Sequence, residues 1–176
     1  MAVSLEATVN FLLSWKYHDA VTSGGTIKDD NSFSVGKAFD GVTYSATKKW
    51  EDRRTLTPAT GTDLLDLTAL TDVFGNALSF TKVKALWVQN LGELVGSSYT
   101  VTAAEDLTVG AGAAASAWSY PFYSDANAVV KLLSGALMAI VGPDTGWTVD
   151  NANRILEVDH VGTTHDITYD ILIVGD

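Results

Sequence analysis

The chain has 176 residues, a formal net charge of −10 and no cysteine. That length suits one domain, residues 1–176, which buries about 70% of the unfolded surface without a metal or disulfide staple. Hydrophobic residues at 47% are too many for disorder, the absent thiols exclude a disulfide framework, thiol catalysis and cysteine-ligated zinc, and the acidic balance argues against tracking along nucleic-acid phosphates.

The first residues alternate. Val3, Leu5, Ala7, Val9, Phe11, Leu13 and Trp15 share one face of an extended strand, against Ser4, Glu6, Thr8, Asn10 and Ser14. Glu6 and Asn10 interrupt any apolar run there, so no secretory signal is expected and the protein is read as made in the cytoplasm. Tyr17 to Asn31 is polar and rich in breakers, and reads as a long connection. Ser32 to Ala38 is a short alternating run, ended by the turn signal Asp40-Gly41. Val42 to Leu56 is extended until Pro58 and Gly61 break it. Within it, Lys48, Lys49, Arg53 and Arg54 place four of the eleven basic residues in seven positions, with Glu51 and Asp52 between them. Those acids spoil a phosphate track and predict a self-paired, solvated segment. In an assembling protein the same cluster offers electrostatic docking on an acidic neighbour, such as the acidic portion of another copy from Asp125 onward.

Asp63 to Leu70 is a short strand or one helical turn, and Asp72 to Asn76 is a loop tip. Leu78 to Leu91 is a strong strand, amphipathic at first and apolar on both faces at its end. Tyr99 to Ala103 and Asp106 to Val109 are short strands around a turn at Glu105. Gly110 to Ala117 is a loop of small residues. Trp118 to Tyr123 is aromatic and contains Pro121, which predicts an edge strand. Ala128 to Leu133 and Leu137 to Val141 are apolar strands separated by Ser134-Gly135, and the run Ala136 to Val141 is too short to span a membrane. After a turn at Gly142-Pro143 come Trp147 to Val149, then Arg154 to His160, then a turn at Gly162. In the last strand Ile167, Tyr169, Ile171 and Ile173 share one face. Thr168 and Asp170 share the other until Leu172 and Val174 make it apolar too, which predicts a central strand. About ten short strands with turns every eight to twelve residues predict an all-β fold. The long connections favour an antiparallel two-sheet sandwich, jelly-roll-like, over an up-and-down barrel.

Little in the sequence suggests chemistry. Asp159-His160 and His165-Asp166 flank a turn and read as surface pairs. A hydrolase would need a third orienting group and a nucleophile that the spacing does not supply. Gly110-Ala111-Gly112 lacks the third glycine and the βαβ frame of a dinucleotide site, and reads as a flexible surface loop. Asp150, Asn151, Asn153 and Glu157 are calcium-type donors without a calcium loop, and read as a turn held by Asx side chains. No catalytic residue, cofactor or metal is expected. Of five tryptophans, Trp15 and Trp87 continue apolar strand faces and read as core. Trp118, Tyr120, Phe122 and Tyr123 read as a contact surface with another copy or a partner.

The runs Arg53-Arg54-Thr55-Leu56, Asp63-Leu64-Leu65-Asp66-Leu67, Thr71-Asp72-Val73-Phe74-Gly75 and Phe80-Thr81-Lys82-Val83-Lys84-Ala85-Leu86-Trp87-Val88-Gln89-Asn90 form an ordered pattern. With Gly142-Pro143, Gly146-Trp147-Thr148-Val149 and Tyr169-Asp170-Ile171-Leu172-Ile173-Val174-Gly175, it resembles virion structural proteins of tailed bacteriophages over about two-thirds of the chain. The resemblance implies a β-sandwich displayed on the head or tail, often as a homo-oligomer such as a dimer or trimer. The small size fits a capsid decoration (cement) protein that binds the major capsid protein from outside, with neither nucleic acid nor membrane as partner. A receptor- or glycan-binding module of a tail fibre or spike is the alternative. The segment Ser97 to Asp106 and the alanine-rich loop have no counterpart in that pattern.

Overall fold

The computed structural model describes residues 7–20, 26–39, 44–58, 61–95, 98–100, 105–111, 115–122, 125, 127–162 and 164–176. Its strands are β1 (Ala7–Ala20), β2 (Thr26–Phe39), β3 (Lys48–Leu56), β4 (Thr62–Asp66), β5 (Leu70–Thr71), β6 (Ala77–Leu78) and β7 (Lys82–Val95). There follow β8 (Ser98–Thr100), β9 (Leu107–Gly110), β10 (Val129–Leu132), β11 (Leu137–Val141), β12 (Trp147–Thr148), β13 (Ile155–His160) and β14 (Ile167–Gly175). Every pairing between these strands is antiparallel. A larger sheet runs β11-β7-β14-β3, with β12 and β8 also on β7, and a smaller one runs β10-β9-β13-β4. The two make the expected all-β sandwich. From β3 onward the chain changes sheet at most of its long connections.

β14 is central, between β3 and β7. Its inward row, Ile167, Tyr169, Ile171 and Ile173, is buried with Leu86 and Val88 of β7 against Leu65, Leu107, Val109, Leu156 and Val158 of the smaller sheet. Its outward row ends in Leu172 and Val174. With Ala85 of β7 and Val141, these carry Phe39, Tyr44 and Ala46. Burial on both faces follows from the alternation and explains why the strand loses its polar row toward its end.

Residues 17–31 differ from expectation. β1 and β2 pair in one register from Ala7↔Phe39 to Ala20↔Thr26, so Tyr17 stands opposite Asp29 and Trp15 opposite Asn31. The backbone ladder runs unbroken through these polar residues, with Lys16 in register with Asp30. The breakers Ser23-Gly24-Gly25 and Asp40-Gly41 lie outside the described residues.

Trp118 to Phe122 also differs. It is no edge strand: Tyr120–Phe122 form a 3-10 turn closed by Phe122 N–H donating to Ser119 O at 2.9 Å. Pro121 has a fixed φ and no N–H to lose, so it suits the turn. Gly110 is likewise no flexible loop residue. It is buried at the end of β9, where a Cβ would collide with Ala128 O.

Candidate functional site

The expected aromatic surface divides. Trp118 is fully buried, its ring edge-on to Phe122 (centroids 6.4 Å apart, 87°) and to Trp147 (6.5 Å, 88°), and its Nε1–H donates to Thr148 O at 2.9 Å. Phe122 is buried with it, because the 3-10 turn folds both rings into the core. Only Tyr120 is exposed, and Tyr123 lies outside the described residues. Trp50 is also core, donating to Thr71 O at 3.0 Å. Trp87, expected in the core, is only half-buried on the outer face of the larger sheet. There it lines a cleft of about 770 Å³ with Leu172, Glu51, Asp52, Arg53, Asp170 and residues of β1. The side chain of Trp15 lies outside the description.

The basic cluster is already answered within the subunit. Arg53 grips Asp170 with two bonds of 2.6 and 2.7 Å and lies over the Tyr99 ring at 5.4 Å. Arg54 pairs with Asp63 and, at 3.1 Å, with Asp52. Lys49 pairs with Glu51 at 2.7 Å, and Lys48 donates to Ser79 O at 2.7 Å. The Tyr169 hydroxyl donates to Asp63 at 2.7 Å. Burial, aided by the Asp63 charge and hydrogen bond, raises the Tyr169 phenol far above its ordinary range. Strand β3 therefore presents a zipped charge row, six of whose nine residues are charged.

His160 overturns the surface reading, while His165 stays half-exposed and Asp166 exposed. β13 alternates, so His160 follows Leu156 and Val158 inward and is buried against Glu105, which is itself buried and bonded to His160 Nε2. His165 donates its backbone N–H to the other Glu105 oxygen at 3.3 Å, and its Nδ1 lies 3.4 Å from that oxygen and 4.0 Å from Glu93. Burial pushes the Glu105 carboxyl up. Hydrogen bonds to His160 and His165, together with the His160 charge, outweigh that and hold it below the usual carboxylate range. Asp159 points away and accepts from Thr62 at 2.6 Å. The cluster pins the approach to β9 onto β13 and the start of β14. Parity along β13 could have found His160. Nothing in the sequence marks Glu105, which is 55 positions away from it. Among the described residues no group of three or more His, Asp or Glu forms a metal site, and no helix is long and apolar enough to cross a membrane.

Asp150 behaves as a turn residue. Its Oδ1 accepts from Ala152 N–H at 2.8 Å and Asn153 N–H at 2.9 Å. A tighter loop of this kind joins β5 to β6. Asp72 Oδ1 accepts from Phe74 N–H at 2.9 Å and Asn76 N–H at 2.8 Å, and Asp72 Oδ2 accepts from Asn76 Nδ2 at 3.1 Å. Across the loop Asp72 N–H donates to Asn76 O at 2.9 Å, and Gly75 N–H to Asp72 O at 3.0 Å. Gly75 takes φ +84°, open to glycine at no steric cost. The Asn76 N–H, followed by its side-chain amide, keeps the Asp72 carboxyl below its ordinary range. This frame holds Val73 and Phe74 out into solvent, 70% and 85% exposed.

No family model, no curated protein and no solved structure matches the chain.

Proposed function

We propose that the protein is a non-enzymatic structural subunit of a tailed-bacteriophage virion, a capsid decoration protein that binds the outside of the major capsid protein shell and stabilises it. The observation that carries this reading is the Asp72–Asn76 loop. It spends a set of backbone and side-chain hydrogen bonds on presenting a bare phenylalanine and valine to solvent. A pre-ordered aromatic anchor loses little entropy when a partner's pocket closes over it, and such anchors carry most of an interface's energy. The resemblance in sequence to virion proteins supplies the kind of partner. The interior ionisable groups fit the same reading: Glu105, His160, Asp63 and Tyr169 are committed to one another and hold strands together.

The test is co-sedimentation of purified protein with empty and filled shells. Wild-type protein is expected to pellet with both and to raise their resistance to heat. Phe74→Ala is expected to weaken binding at least tenfold while leaving the fold's melting temperature unchanged. Wild-type protein that ignores both kinds of shell would sink the reading.

A receptor- or glycan-binding role in a tail fibre or spike is the second reading. The Trp87 cleft favours it, because an aromatic floor rimmed by Glu51, Asp52, Arg53 and Asp170 suits stacking and hydrogen bonding to a sugar. A glycan array probed with multivalent protein tests it, and a blank array discards it.

A further inference from the structure

We infer that two copies of this chain join edge to edge through β11, in an isologous antiparallel seam centred on Ala139 that continues the larger sheet from one subunit into the next. The seam extends the reading of the chain as an assembling subunit and takes from it only the expectation of self-association.

β11 is the last strand of its sheet, and its inner neighbour is β7. Asn90 N–H donates to Ala136 O at 2.9 Å and Gly142 N–H donates to Lys84 O at 2.8 Å. These two bonds fix the phase of the ladder. Met138 and Ile140 turn their backbone groups toward β7, while Leu137, Ala139 and Val141 turn theirs outward. No strand pairs with that side among the described residues. The other sheet's edge on the same side is β10, joined to β11 through Ser134-Gly135 and, among the described residues, paired only with β9.

The sequence of this rim lacks what keeps edges apart. β11 reads Leu-Met-Ala-Ile-Val, with no charge, no proline and no bulge, and β10 carries only Lys131. That lysine is turned to Asp106 at 2.7 Å. Exposed apolar side chains continue along the rim: Leu137 is 54% and Leu133 59% exposed, and Val129 and Val130 are exposed too. An open apolar edge is a template for another strand.

The choice of a second copy rests on charge and on symmetry. A chain of net charge −10 repels its own copies over most orientations. β11 itself carries no charge, so two copies meet along it with no like-charge pair. About a two-fold axis at Ala139, Leu137 stands opposite Val141 of the partner subunit, and Ala139 opposite the partner's Ala139. Each outward N–H then meets an outward carbonyl, and only apolar side chains flank the seam.

The test uses the whole chain, with native mass spectrometry and light scattering across a concentration series. Wild-type protein is expected to be dimeric. Ala139→Pro removes a single outward donor, leaves every bond to β7 intact, and is expected to shift the dimer dissociation constant at least a hundredfold. Leu137→Lys, on the exposed outer face, sets two lysines beside the seam and is expected to give monomer at an unchanged melting temperature. Monomeric wild-type protein overturns the seam, including the case in which that monomer binds shells through a foreign strand. A folded oligomer indifferent to both substitutions overturns it too, while leaving the shell-binding reading untouched. A dimer that responds to both substitutions yet ignores shells supports the seam and removes the shell-binding reading.

Discussion

The two lateral rims of the sandwich are built on opposite rules. On one side lie β3 and β4, dense in charge: Lys48, Lys49, Glu51, Asp52, Arg53 and Arg54, then Asp63 and Asp66. On the other lie β10 and β11, with one lysine between them. The links that cross between the sheets follow the same division. At the charged rim, Asp63 of the smaller sheet takes Arg54 and Tyr169 of the larger one. At the apolar rim, the amide of Asn90 on β7 donates to Leu132 O and to Glu105 O, both at 3.1 Å. Its oxygen accepts from Gly92 N–H at 2.9 Å, where β7 bends through a left-handed glycine (φ +85°). Ionic ties suit a rim that stays in water, since solvated charge deters strand addition. A neutral tie leaves the other rim free of fields that would repel a neighbour.

This contrast can be broken first at the charged rim. Asp63→Ala leaves the Tyr169 hydroxyl buried and Arg54 without its inner partner, and is expected to cost about 3 kcal/mol. The shift of the urea midpoint at constant m-value measures it, and a loss under about 1 kcal/mol would show that the ionic link is ornamental. Asn90→Ala attacks the apolar rim. It abandons two carbonyls and one N–H, and a loss of about 2 kcal/mol is expected by the same measurement. Because Asn90 stands opposite Tyr169 across β7 and β14, and Asp63 holds the Tyr169 hydroxyl, the double variant is expected to depart from additivity; strictly additive losses would show that the rims act independently.

The smallest effect is in pH. Glu105 has a lowered folded-state value, so the unfolded chain binds protons more readily there. Its stabilisation is complete above the unfolded carboxyl value of about 4.3 and is lost as pH falls through the lower folded value. Melting temperature should therefore fall more steeply below pH ~4 in wild type than in Glu105→Gln. Parallel curves would mean that Glu105 is not held ionised by its histidines.

What the sequence discloses is whatever repeats along one strand. The two rows of β14, the alternation of β7 and the zipped charges of β3 need only local parity and composition. The loop tip at Asp72 to Asn76 is legible for the same reason, because Asp, Gly and Asn carry their turn geometry with them. Partners brought together from afar are not legible. Glu105 reads in sequence as a turn residue and gives no sign that it will be buried on His160. A single 3-10 turn also breaks the period that would have shown Trp118 and Phe122 pointing inward. Part of the β1–β2 ribbon is legible in the alternation of Val3 to Trp15 and of Ser32 to Ala38, whereas Tyr17 to Asn31 is polar in sequence and carries no such mark.

The place of β14 bears on how the protein is made. It fills the gap between β3 and β7, yet follows both in the chain by some seventy residues or more. While a ribosome is still adding those residues, β3 and β7 have no strand between them and the larger sheet stands divided. The larger sheet closes once β14 has emerged, and a nascent chain released before that point carries an open apolar slot that proteases and chaperones can recognise.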